Sequence, residues 1–254
     1  MTTPQIIHRV TRQTNHRPWA MPDRPWVMAM RWHTLLFAHW PVDAARLRAV
    51  LPASVELDTF QGHAWLGVVP FGMSRVRLHG LPPVWPVASF LELNVRTYVT
   101  VNGKPGVWFF SLDAASRLAV RGARWSYGLP YFDARMHCQR DDDDWVSYQS
   151  NRTHRDTPPA AFAARYRPVG PPANAAPGSL EQFLYERYCL YTVDRRGRPM
   201  RGDVHHEPWP VQPAELQTEQ LDMTRLAGVS LDGEPTLLHY ADHIDVIAWR
   251  PVSA

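Results

Sequence analysis

Lysine is nearly missing from this chain: all but one of its 27 Lys and Arg residues are Arg, and the exception is Lys104. It follows Asn102-Gly103 and precedes Pro105, residue types that make a tight hairpin turn. A lysine that forms an imine must be desolvated or set beside another cation to lower its pKa, and a turn tip supplies neither. Pyridoxal enzymes, lysine-dependent aldolases and decarboxylases, and P-loop nucleotide hydrolases are disfavoured on that ground. Cysteine is scarce too. Cys138 and Cys189 have no metal-type spacing and make no disulfide scaffold, so a reducing cytoplasm is the expected location. No run approaches the ~18 apolar residues of a membrane-spanning helix. Residues 1–27 carry Arg9, Arg12, Arg17 and Arg24 without an apolar core, so they read as an extended arm and not as a signal peptide.

Charge is balanced to within +3. The densest basic group, Arg195, Arg196, Arg198 and Arg201, flanks Gly197 and Pro199 and decorates a turn. With no aromatic-interleaved basic motif, nucleic acid is not an expected partner, and neither is a membrane. What the chain does have is 11 Trp and 24 Pro. Large apolar rings and a residue confined to turns and extended segments argue against a helix bundle.

The pattern along the chain is mainly β with a few short helices. A helix is expected from Pro41-Val42-Asp43 to about Leu51, then a hairpin of 55–59 and 64–73 about Gln61-Gly62, and a Pro-rich connector from Leu81 to Pro86. Over 89–101, Leu91, Leu93, Val95, Thr97, Val99 and Val101 alternate with Phe90, Glu92, Asn94, Arg96 and Tyr98. A period of two predicts a strand with one apolar and one largely polar face. The chain turns at Asn102-Gly103 and returns over 106–113. A helix is expected over 114–125, strands over 131–140, 145–152 and 160–167, and a second helix opened by the Ser179/Gln182 capping pattern. Hairpins of 187–194 with 200–206 and of 236–241 with 243–250 complete the pattern. So many strands suggest a closed or nearly closed antiparallel barrel, one domain over 28–252.

One constellation carries chemistry. With a two- or four-residue loop at 102–103, Glu92, Asn94, Arg96, Ser111 and Asp113 share one face of the hairpin; a three-residue loop reverses that relation. The return strand is apolar on both sides and so is expected to be covered on both, which turns the polar row inward. Glu92 opposite Asp113 would have its pKa raised by repulsion and lowered again by Arg96. Glu92 is then the candidate acid or base, and Arg96 the group to hold a substrate carboxylate. The competing reading is a satisfied ion pair or a solvent-facing row.

These residues sit within longer motifs: Trp65-Leu66-Gly67-Val68-Val69-Pro70-Phe71, Glu92-Leu93-Asn94-Val95-Arg96, Gly106 to Asp113, Glu186-Arg187-Tyr188, and His206-Glu207-Pro208-Trp209. In order over about residues 28–250, they resemble the bacterial YqjF-like family of uncharacterised proteins in the acetoacetate decarboxylase-like superfamily. The resemblance implies a cone-like antiparallel barrel with an internal pocket. In the decarboxylase a lysine after a Gly-aromatic-Pro turn forms the imine, and a strand glutamate lines the pocket. Gly128-Leu129-Pro130-Tyr131 is similar to that turn, with Tyr131 in the lysine's place, and Glu92 is similar to the strand glutamate. The resemblance therefore implies the pocket without the imine.

Weaker signals remain. His205-His206-Glu207 and His239 to His243 suggest metal ligands, but adjacent histidines on a strand point to opposite faces, so no metal or cofactor is expected. Ser111 lacks a nucleophile elbow. Arg124 is a candidate anion ligand or a dipole-stabilising residue in the last turn of its helix; Arg187, at a helix end, either reaches the barrel mouth or belongs to the core and rim. The expected function is binding of a small carboxylate or carbonyl compound, with Glu92 and Tyr131 as catalytic groups. Arg96, Asn94, Ser111, Asp113, Arg124 and Arg187 are the substrate-binding set, and the alternative is a non-catalytic ligand-binding or sensor module. Self-association is compatible with either.

Overall fold

The computed structural model describes residues 3–82, 88–231 and 233–254, with backbone only for 3–6. The elements in chain order are α1 (Thr3–Arg12), β1 (Met28–Val42), α2 (Ala44–Val50), β2 (Glu56–Leu57), β3 (Ala64–Leu78), β4 (Phe90–Val101) and β5 (Lys104–Ala114). There follow α3 (Arg117–Tyr127), β6 (Tyr131–Arg140), β7 (Val146–Arg152), β8 (Ala161–Pro168), α4 (Leu180–Tyr185), β9 (Cys189–Val193), β10 (Pro199–His205), β11 (Gln212–Leu221), β12 (Leu237–Ala248) and β13 (Val252–Ser253). The chain is mainly β, as its patterning predicts. No described helix is long and apolar enough to cross a membrane.

All strands join one sheet, and its pairings return on themselves. From β5 the ladder runs through β6, β7, β8, β11, β12, β1, β3 and β4, and β4 pairs back with β5. A shorter path links β12 through β10 and β9 to β5. One face of the sheet carries a core that includes Leu36, Leu66, Val95, Tyr148 and Tyr166. The other carries Phe37, Val69, Phe71, Tyr98, Tyr185 and Trp209. Burial on both faces explains the continuous apolar runs of β1 and β3.

Local signals were obeyed closely. Asp43 caps α2, accepting from Ala45 N, and Ser179 caps α4, accepting from Gln182 N. The Asn102-Gly103 turn has both central residues at positive φ, 51° and 73°, and pairs Val101 with Lys104. These are the dihedrals of a two-residue hairpin loop matching strand twist.

Several expectations are corrected. The sheet is not wholly antiparallel, because β5 pairs in parallel with β6 and β9; α3 is the crossover that such a connection requires. The expected hairpin of 55–59 with 64–73 does not form: β2 pairs with β4, and only Phe60 and His63 bridge across Gln61-Gly62. The pair 236–241 and 243–250 is one continuous strand, β12, which β1 holds from Met28↔Ala248 to His39↔Leu237, and the run contains no turn-forming residue at positive φ. The first residues are helical rather than extended, since α1 lays Val10 against Ile247 and Trp249. Strand β11 escaped the sequence pattern. Part of the Pro-rich connector, residues 83–87, lies outside the described residues.

Candidate active site

The candidate site begins with a defect in the β4–β5 ladder. From the turn, pairing proceeds as the two-residue loop dictates as far as Arg96↔Phe109, but the next pair is Val95↔Ser111. Phe110 is an extra residue, a bulge, and a shift of one residue exchanges the faces of everything beyond it. Glu92 therefore opposes Ala114 and Asn94 opposes Leu112, while Ser111 and Asp113 oppose Val95 and Leu93 on the other face. The five-residue polar row is split. Glu92, Asn94 and Arg96 stay together; Ser111 and Asp113 leave them.

Asp113 finds its own partner. Arg152 of β7 grips it with Nη2 at 2.6 Å and Nε at 3.0 Å, both side chains being almost fully buried. Burial still pushes the Asp113 carboxyl up, and Arg152 only partly offsets it. This is a structural ion pair.

The place expected for Asp113 is taken by Tyr131. Gly128, in the left-handed region at φ 65°, ends α3, and Leu129-Pro130 delivers Tyr131 to the first position of β6, opposite Leu112. That rung aligns Val69, Asn94, Leu112 and Tyr131 across β3, β4, β5 and β6. Tyr131 Oη donates to Glu92 Oε2 at 2.9 Å. Glu92 is 2% exposed, and burial raises its pKa to about 8, with the hydrogen bonds of Tyr131 and Asn94 pulling it down and Asp113 adding to the rise. Arg96, expected to offset that rise, instead donates to the Leu184 carbonyl at 3.4 Å. Tyr131 itself is driven well above the usual tyrosine range by burial and by Glu92. From the opposite side of the sheet, Tyr148 Oη donates to the Glu92 carbonyl at 2.8 Å. The acid is thus fixed at both its side chain and its backbone.

Arg96 is half-buried on the same face, with its guanidinium 5.4 Å from the Phe37 ring centre and 5.7 Å from that of Tyr98. Among the described residues no carboxylate lies within 4 Å of it. Arg187, 5.0 Å from the Tyr98 ring centre, is by contrast bound to Asp58 at 2.7 Å. Arg124 is exposed and donates to the Tyr131 carbonyl at 2.7 Å; it fastens the end of α3 to β6 and does not join the Glu92 face. His205 and His206 hold backbone carbonyls of Val10 and Arg187.

Sequence reasoning missed His39. It is fully buried on β1 and lies 2.7 Å from Tyr98 Oη through Nε2. The signal was present, a lone histidine inside the apolar run Leu35 to Trp40. Two surface hollows, one lined by Ile7, Val10, Ala29 and Asp245 and the other by Ala44, Arg48, Leu51 and Leu57, lie apart from Glu92 and Arg96. Aromatic rings, among them Phe37, Tyr98 and Tyr185, pack on this face, and Phe109 opposite Arg96 is half-buried.

Comparison with known proteins agrees with this architecture. The DUF2071 family model, described as an uncharacterized conserved protein, matches residues 29–245. The uncharacterized protein YqjF of Bacillus subtilis (strain 168) is 43% identical over 242 residues, covering 94% of this chain and 98% of that protein. The enduracididine biosynthesis enzyme MppR superimposes with a TM-score of 0.62 at 12% identity, over 93% of this chain and 90% of that one. An acetoacetate decarboxylase-like enzyme from Sphingomonas wittichii RW1 does so with a TM-score of 0.60 at 13% identity, over 94% and 98%. At such identities the structural likeness is one of fold.

Proposed function

This chain belongs to the DUF2071 family, and we propose that it binds a small carboxylate or carbonyl compound and exchanges a proton with it through Glu92, without an imine. We read the shorter circuit of strand pairings, through β1, β3, β4, β5, β9, β10 and β12, as a barrel whose interior is the Glu92 face. The observation that carries the proposal is one face holding both a buried carboxyl hydrogen-bonded by Tyr131 and an arginine with no carboxylate partner among the described residues.

The chemistry follows from the geometry. A carboxyl with a pKa near the working pH is present in both forms and serves as acid or base. Tyr131 donates to Oε2, leaving Oε1 to carry the proton. Asn94 orients the carboxyl, and Arg96 attracts an anionic ligand. The chain's single lysine lies at the far end of β4 from Glu92, roughly 30 Å of extended strand away, half-buried in the hairpin. That both cysteines are free thiols supports a reducing location.

The test is exchange of deuterium from D2O into the carbons flanking the carbonyl of 4-oxopentanoate, followed by NMR. Glu92→Gln should slow protein-catalysed exchange at least a hundredfold while ligand affinity changes less than threefold. Equal exchange in both proteins would overturn the assignment. The second reading, a non-catalytic binding module, is favoured by the aromatic walls of Phe37, Tyr98 and Tyr185; it predicts binding with no exchange in either protein.

A further inference from the structure

The Glu92 face carries a second group of buried polar atoms, removed from the acid. The register of β1, β3 and β4 sets His39, Gly67 and Arg96 on one rung. Gly67 is there because nothing larger fits: a Cβ would stand 2.7 Å from His39 Nε2 and 3.4 Å from Arg96 Cγ. Burial and the neighbouring Arg96 hold the His39 imidazole well below its usual pKa, so it is neutral. Arg96 donates toward the Tyr98 oxygen, which turns the Tyr98 hydroxyl proton to His39 Nε2 and assigns the imidazole's own proton to Nδ1. His39 Nδ1, Arg96 Nε and Trp65 Nε1 are all buried without a protein partner. Buried donors are almost always met, and the unmet ones on His39 and on Arg96, whose Nη2 reaches only the Leu184 carbonyl at 3.4 Å, suit an anionic acceptor.

The two groups are separated by a measurable span. Glu92 and Arg96 stand four residues apart on β4, about 13 Å of strand. Allowing a hydrogen bond of about 2.9 Å at each end leaves about 7 Å for the ligand, or about four methylene groups between its carbonyl and its carboxyl carbon. Arg96 and Phe109 keep accessible surface whereas Glu92 does not.

We propose that Arg96 and His39 receive the carboxylate of an elongated oxo-carboxylate whose carbonyl reaches Glu92 and Tyr131. The proposal rests on the acid–base reading above and adds the ligand's shape: the carboxylate lies at the open end, the carbonyl at the closed one. Short oxo acids cannot span both centres.

Calorimetric titration of the full chain with pyruvate, 4-oxopentanoate and 6-oxoheptanoate tests this. Affinity should rise along the series, with 6-oxoheptanoate binding at least tenfold more tightly than pyruvate. His39→Gln should weaken 6-oxoheptanoate at least fivefold. Should His39→Gln fail to fold, Tyr98→Phe, which frees the imidazole from its partner, should show the same loss. Binding that is independent of length, or a folded variant with unaltered affinity for the longest acid, overturns this inference while leaving the acid–base reading standing. No binding of any member overturns both.

Discussion

Tyr131 reaches across an intervening strand to place its hydroxyl 2.9 Å from a carboxylate oxygen of Glu92. The two residues belong to β6 and β4, which do not pair with each other and have β5 between them. Their contact depends on the bulge at Phe110, which turns Asp113 away, and on the short turn after α3, which brings the tyrosine in.

Substituting Glu92 by Gln should stabilise the protein at neutral and alkaline pH. The folded chain keeps the Glu92 proton to about pH 8, and the unfolded chain releases it near pH 4.5. Stability from this group is therefore fully present below pH 4.5 and is lost as pH rises towards 8, by roughly 3 kcal/mol at pH 7. Urea unfolding at pH 5 and pH 8 should show the wild type losing roughly 3 kcal/mol relative to the Gln variant over that interval.

Tyr131→Phe removes the donor that favours ionised Glu92. The carboxyl should titrate at higher pH than in the wild type, and stability should fall by about 1 kcal/mol. Infrared spectroscopy of the protonated carboxyl band follows the first effect and thermal unfolding the second.

Asp113→Asn leaves Arg152 buried without its counter-charge. A loss of about 3–5 kcal/mol is expected, visible as a large drop in the urea midpoint. Ligand affinity measured well below that midpoint should stay within twofold, because Asp113 faces away from Glu92. A stable variant with impaired binding would return Asp113 to the site.

Borohydride treatment in the presence of any oxo acid should leave Lys104 unmodified by mass spectrometry. Lys104→Gln should have the same ligand affinity as the wild type. A reduced adduct on Lys104 would contradict the imine-free reading.

Much of this was legible in the chain. The alternation of 89–101 and the Asn102-Gly103 turn specified β4, β5 and their register as far as Phe109, because turn dihedrals and side-chain periodicity are local. The bulge was not legible. Phe110 is one apolar residue in an apolar run, and only packing on both faces of β5 decides which residue is left unpaired. The same limit hid the parallel pairing of β5 and the continuity of β12, where Asp242-His243 looks like a turn but is held straight by β1. Tyr131 entered through the resemblance of its turn to a known motif, and His39 passed unnoticed because its meaning comes from Gly67 and Tyr98 on neighbouring strands.

The central claim is that Glu92 is an inward carboxyl, protonated at neutral pH and poised for proton exchange. It is tested most directly by titrating carboxyl carbons in 13C-glutamate-labelled protein and assigning the Glu92 signal by its loss in Glu92→Gln. A midpoint of about 8 is predicted. A midpoint near 4.5 would show a solvated carboxylate and contradict the account.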